Sequence, residues 1–127
     1  MTLQETIVHA DSLLPGTPAP EGERDERWQA IISVSEFIKR EPALVWAFAL
    51  KWGAHEDEDL RAAISSCLLE HLLEHHFDTI FPLVEQEVCR SPFFAETFRG
   101  CWQFGQAKLA ANAARFEQLM RQCDAAR

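Results

Sequence analysis

Between Asp57 and Phe77 the chain reads DEDLRAAISSCLLEHLLEHHF, and no other stretch limits the fold as much. Asp57, Glu58 and Asp59 open it with negative charge, which a helix N-terminus favours. Leucines then recur at helical spacing for about five turns of 3.6 residues. The pattern predicts a helix over 57–76. From Glu23 to the end every other segment also reads helical, and no strand-like alternation appears, so the predicted class is all-α.

Turn residues divide the chain. Thr2 and Glu5 have the spacing of a capping box, and Leu3, Ile7, Ala10 and Leu14 follow as one apolar face, predicting a helix over 3–14. Pro15-Gly16 ends it, and PGTPAPEG has no means of building a core. Residues 1–22 are therefore an N-terminal arm and 23–127 the body, with the arm expected to dock on that body. The first body helix is predicted to reach Arg40, with Trp28, Ile31, Ile32, Ser35 and Ile38 on one side. Glu41-Pro42 starts the next. Its residues Ala43 to Trp52 are apolar almost all round, which predicts burial between neighbours, and Gly53 closes it. Asp78 is the expected cap of a helix carrying Ile80, Phe81, Leu83, Val84 and Val88. Ser91-Pro92 opens an aromatic-rich helix to Phe104, broken by Gly105. The last helix shows Leu109, Ala113, Phe116, Met120 and Cys123 as its stripe. Short turns imply antiparallel neighbours, and the helix-turn-helix layout recurs from residues 41 and 78.

A chain of 127 residues is one domain, and nine Phe with four Trp supply its core. Trp28, Trp46, Trp52 and Trp102 are expected inside, as is the whole aromatic run from Phe93 to Phe104. The formal net charge of -8 argues against nucleic acid, because phosphate binding needs concentrated Lys and Arg. It suits solubility and a basic protein partner equally. Four cysteines without a C-x-x-C spacing read as buried or half-buried thiols of a reducing cytosol. Ala43 to Leu50, the longest apolar run, falls far short of the ~20 residues of a membrane span. The expected setting is cytoplasmic, with no membrane and no nucleic-acid partner.

The run Asp57-Glu58-Asp59-Leu60-Arg61-Ala62-Ala63, followed by Leu68, Leu69 and Leu72, resembles the HEAT repeat over residues 42–76. In that family an Asp closes the inter-helix turn, and an Arg among small residues begins the second helix. The resemblance implies those structural roles for Asp57 or Asp59 and for Arg61, linking the turn to the neighbouring repeat. It also implies antiparallel helix pairs in a short stack, with a curved ridge of second helices that binds another protein. Residues 78–104 share the layout but lack the Asp and Arg at matching places.

On a 100° wheel Leu68, Leu69, Leu72, Leu73, His76 and Ile80 share one side of this helix. Cys67, Glu70, His71 and Glu74 lie opposite, with His75 at the edge. Glu70, His71, Glu74 and His75 are accordingly the candidate binding residues. His71-Leu-Leu-Glu74-His75 also resembles the H-x-x-E-H pattern of the inverzincin peptidases. That resemblance implies His71 and His75 as zinc ligands and Glu74 as general base, with Cys67 as a softer ligand. Glu85, Glu87 or Glu96 would have to be the third ligand, and nothing marks any of them. A solvated His- and Glu-rich face needs no ion, so the expectation is no metal, no cofactor and no catalysis. His76 is expected to be hydrogen-bonded near the helix C-terminus. The favoured function is a protein-binding helical module. An inhibitor or immunity-type protein against a basic nuclease or toxin is the second reading, and a metal-dependent hydrolase the third.

Overall fold

Thr2 and Glu5 exchange hydrogen bonds, the Glu5 N–H to Thr2 Oγ1 at 3.1 Å and the Thr2 N–H to Glu5 Oε1 at 3.0 Å. That box starts α1 (Leu3–Leu13) of the computed structural model, which describes residues 1–127. Leu3, Ala10 and Leu14 are buried, so the arm packs on the body through the face its spacing predicts. Trp52 Nε1 donates to Asp11 at 2.7 Å and fastens α1 to α3.

Every regular element of the body is a helix, and there is no strand. Asp25 caps α2 (Glu26–Ser35) by accepting the Arg27 N–H at 2.9 Å. The helix stops at Ser35 rather than Arg40. Beyond it the chain tightens into three-residue turns, the N–H groups of Glu36, Phe37 and Ile38 reaching Ser33, Val34 and Ser35. This leaves the Ile38 carbonyl free for His76, whose Nε2–H donates to it at 2.9 Å. α3 (Pro42–Gly53) begins on its proline. Its inner face is buried at Val45, Phe48, Ala49 and Trp52, while Leu44 faces out, so an apolar circumference here does not mean burial on every side. Gly53 is buried where a Cβ would stand 3.3 Å from both Ile64 and Phe94.

Asp57 caps α4 (Glu58–Ile64), accepting the Leu60 N–H at 2.9 Å. The predicted continuous helix over 57–76 is interrupted after α4 by a π-helical turn at Ser65–Leu69. A π turn holds an extra residue, so every side chain after it is rotated by about one residue's worth of arc. α5 then runs Glu70–Arg90 and kinks at His76, where φ -139° and ψ 42° leave the helical region. Asp78 does not cap a separate helix: the kink lies two residues earlier, at His76, and is sealed by a distant side chain described below. α6 (Pro92–Arg99) is capped by Ser91, which accepts the Phe94 N–H at 3.1 Å. It ends at Gly100 rather than Phe104. A Cβ on Gly100 would meet Ser65 Oγ at 2.8 Å, so the chain passes the π turn too closely for a bulkier residue. After residues 101–104, which form no regular element, and a 3-10 turn at Gly105–Lys108, α7 (Ala110–Ala125) closes the chain. Its buried stripe is Phe116, Leu119 and Cys123, with Leu109 exposed and Met120 half-buried.

One continuous core joins all of these helices. Phe77, Phe81, Phe94 and Phe98 are fully buried, and the Phe98 ring lies 4.9 Å from Phe116, tying α6 to α7. Each such ring contributes roughly 1.5–3 kcal/mol by leaving water. Trp46 and Trp52 are buried as expected, Trp28 is half-buried, and Trp102 is not in the core at all. Among the free cysteines Cys101 and Cys123 are buried, Cys67 is half-buried and Cys89 is exposed. No helix is long and apolar enough to cross a membrane.

Candidate functional site

The kink in α5 frees backbone groups that an unbroken helix would pair internally. Gln106 takes both sides of the gap. Its Oε1 accepts the Phe77 N–H at 2.9 Å, and its Nε2 donates to the His75 carbonyl at 2.8 Å. A strap formed by residues 100–109 is thereby laid across α5. Gly105 lets it approach closely. Its φ is +49°, and a Cβ there would lie 2.7 Å from Glu74 Cγ and 2.9 Å from the Glu74 carbonyl oxygen. Asn112 holds the far end by donating to the Gln106 carbonyl at 3.0 Å.

The near end is held by Glu70. Its carboxylate accepts the Trp102 N–H at 2.8 Å, and the residue is only 6% exposed. Burial pushes its carboxyl above the ordinary glutamate range, offset in part by the Trp102 hydrogen bond and by His71. The wheel put Glu70 on the open ridge. The π turn rotates it inward, so its role is to anchor the strap. Cys101 beside it is buried, its Sγ 3.5 Å from Ser65 Oγ, and desolvation pushes its thiol up to about 12. That thiol stays protonated and serves packing.

The other three candidates do gather at one place. His71 Nδ1–H donates to Glu74 Oε1 at 2.8 Å, and His75 Nε2 lies 3.4 Å from the same oxygen. The His71 ring is stacked on Phe104 of the strap, with centroids 5.8 Å apart and planes at 13°. All three are half-buried. Both imidazoles turn onto Glu74 instead of converging on a vacant point. No group of three or more His, Cys, Asp or Glu side chains is arranged to hold a metal ion. The carboxylates named as third ligands are engaged elsewhere: Glu85 with Arg115, Glu87 with Arg90, and Glu96 with Arg99 and Arg127.

The structure adds a residue that the sequence reading placed in the core. Trp102 is 75% exposed while its own backbone N–H is pinned by Glu70. Phe104 and Leu109, on the same strap, are also exposed. The signal that would have found them is Arg99-Gly100, a cation in the last turn followed by glycine, which is a helix stop before Trp102.

Asp57, Asp59 and Arg61 occupy structural positions. Asp57 is the cap of α4, and Arg61 Nη1 donates to the carbonyls of His55 (3.0 Å) and Glu56 (2.7 Å). Asp59 reaches back to α2, accepting from Arg27 Nη2 and, at 3.2 Å, from Trp28 Nε1. No known protein family, curated protein or solved structure matches this chain.

Proposed function

We propose that the chain is a protein-binding module without a reaction of its own, and that its contact surface is the strap and the α5 face beneath it. One observation carries the reading: Trp102 is displayed to solvent on a segment whose backbone is fixed by Glu70, Gly105 and Gln106. A large apolar ring left in water is unfavourable, and tryptophan is the residue type most enriched among side chains that dominate protein interfaces. Because the strap is already ordered, a partner covering the indole loses little further conformational freedom. His71, Glu74 and His75 supply a polar rim beside the aromatic centre, as interfaces commonly require.

The partner best suited to this surface is basic. The chain carries a net charge of -8, which draws a cationic protein by long-range attraction. An exposed indole face is also the strongest aromatic acceptor for an Arg or Lys head group. The proposal includes reading residues 42–76 as a HEAT-like helix pair. The Asp57 cap, the Arg61 bonds across the turn and the reach of Asp59 to the preceding helix support it.

Capture from lysate of the source cells by the wild-type chain and by Trp102→Ala, at low and high ionic strength, tests the proposal. The expected result is one stoichiometric basic protein held at low salt and lost both at high salt and in the variant. Trp102→Ala itself should keep its stability within about 0.5 kcal/mol, as surface substitutions do. Equal capture by both chains would refute the surface.

A further inference from the structure

Two of the four free cysteines, Cys89 and Cys123, stand on the wall of one hollow of about 480 Å³. Cys89 is the penultimate residue of α5 and Cys123 lies just before the end of α7, so the C-terminal ends of both helices meet at this hollow. The register between the helices accounts for the meeting. Arg115 of α7 lies over the Phe81 ring of α5, 5.0 Å from its centroid, and bonds Glu85 at 2.8 Å. Cys89 follows Phe81, and Cys123 follows Arg115, at the same interval of a little over two turns, which brings the two thiols level.

The pair differs from the other two cysteines. Cys101 and Cys67 lie by the π turn, against Ser65 at 3.5 Å and Ser66 at 4.0 Å. Packing accounts for the buried Cys101, but Cys89 is exposed and contributes nothing to the core. An exposed thiol beside a buried one is what disulfide exchange needs, one sulfur to meet the reagent and one to resolve the adduct. Ion pairs hold the end of α7 over the hollow, Arg99 Nε on Asp124 at 2.7 Å and Arg127 Nε on Glu96 at 3.1 Å. A second thiol held in place reacts as if at a concentration far above that of a free one. Burial pushes the Cys123 thiol up, Arg99 draws it back in part, and charge on Asp124 and Cys89 raises it further. The two sulfurs are thus within electrostatic reach of each other.

We propose that Cys89 and Cys123 are a reversible thiol pair, which closes to a disulfide at the expense of a small-molecule disulfide of the glutathione type. The Cys89 thiolate attacks one sulfur of that reagent, whose S–S bond breaks, and one small thiolate leaves and takes up a proton. Cys123 then gives its proton to water and attacks Cys89 Sγ. The mixed bond breaks and the second small thiol leaves. Two protein thiols are oxidised and one small disulfide is reduced to two thiols. The closed loop contains α6 and the whole strap, so oxidation ties both ends of that segment together. The pairing does not depend on what the strap binds.

The test treats the reduced, folded wild type with glutathione disulfide, quenches with acid and maps the links by mass spectrometry. Cleavage after both Arg and Glu separates Cys67 from Cys89, which a single tryptic peptide would hold together. The expected product is one intramolecular Cys89–Cys123 link with no glutathione retained, opened again by dithiothreitol. Such a link forms only if the two Cα atoms come within about 7 Å, so its appearance reads the geometry directly. Cys123→Ala should stop at one glutathione on Cys89. Cys89→Ala should slow reaction at Cys123 by at least about tenfold, because a buried thiol meets the reagent poorly. Cys67→Ala should close the link like wild type. A folded wild type that keeps glutathione on Cys89 without a link would overturn the proposal. So would one that links Cys67 or Cys101 instead, or one that does not react. The wild-type map decides by itself, so a variant that fails to fold leaves the test intact.

Discussion

Two irregular segments cross the helices of this protein, and both are held by a carboxylate. The linker between α1 and α2 is held by Asp25, which accepts the Ala19 N–H at 3.2 Å and the Arg27 N–H at 2.9 Å. The strap between α6 and α7 is held by Glu70, which accepts the Trp102 N–H at 2.8 Å. Each segment also carries a left-handed glycine against a helix carbonyl. A Cβ on Gly16 would lie 2.6 Å from the Leu13 oxygen, and one on Gly105 2.9 Å from that of Glu74. The difference is the counter-ion. Asp25 meets the Arg27 guanidinium, whose hydrogen bonds hold its carboxyl down at about 2. Glu70 has no cation of fixed charge beside it. His71 Nε2 stands 3.9 Å away, and desolvation raises the Glu70 carboxyl instead. The same device therefore works with opposite electrostatics in the two segments.

Removing the counter-ion breaks the comparison most severely. Arg27 is 5% exposed and bonds Asp25, Asp59 and, at 2.9 Å, the Pro15 carbonyl. Arg27→Ala would leave Asp25 half-buried without its partner and detach the linker, α2 and α4 from one another. Loss of one member of a buried pair costs about 3 kcal/mol. Thermal unfolding followed by circular dichroism should show a drop in Tm on the order of 10 °C. A drop no larger than a surface substitution gives would mean that packing of α1, and not the ion network, holds the linker.

Gly105→Ala acts on the strap and ranks next. The added methyl meets a backbone oxygen that cannot swing away, and the left-handed conformation adds its own penalty. Together they amount to about 2 kcal/mol. Because the strap moves first, the variant should also change the emission of Trp102, read against Trp102→Phe as a blank. Loss of stability with an unchanged Trp102 signal would place the strain elsewhere.

How much of this was legible beforehand follows from what sequence spacing encodes. The capping box, the apolar face of α1, the Ser91 cap and the proline starts are local, and each stands where the sequence put it. Spacing failed at the π turn. A wheel assumes a constant 100° step, and Ser65–Leu69 breaks that step without any proline or glycine to announce it. Leu72, Leu73 and Ile80 beyond it are buried on the side the wheel gives them, but Glu70, directly after the turn, was assigned to solvent and became an anchor. The kink was equally hidden, since it is stabilised by Gln106, thirty residues downstream in an unrelated turn. Of the proposed binding residues the cluster His71, Glu74 and His75 was found as a group. Trp102 was missed because a tryptophan in an apolar run is usually core, and only the Gly100 stop separates it from that run.

Glu70→Gln is the smallest perturbation and the sharpest. The amide keeps an acceptor for the Trp102 N–H but carries no charge to bury. Glu70→Ala, by contrast, removes the acceptor and should cost about 1 kcal/mol. In the wild type the Glu70 carboxyl has a higher pKa folded than unfolded, so the folded state binds more protons between the two values. Its contribution to stability is then full below the unfolded value near 4.5 and is lost as pH rises through the folded one. Asp25 runs the other way, contributing above its unfolded value near 3.8 and losing that contribution as pH falls toward about 2. Urea unfolding at a series of pH values should therefore find Glu70→Gln slightly more stable than wild type at neutral pH. The advantage should vanish as the pH falls through the raised Glu70 value toward 4.5, before the Asp25 contribution begins to fail. A Gln variant parallel to wild type at every pH would mean that water reaches Glu70, and that the strap is held by Gln106 and Gly105 alone.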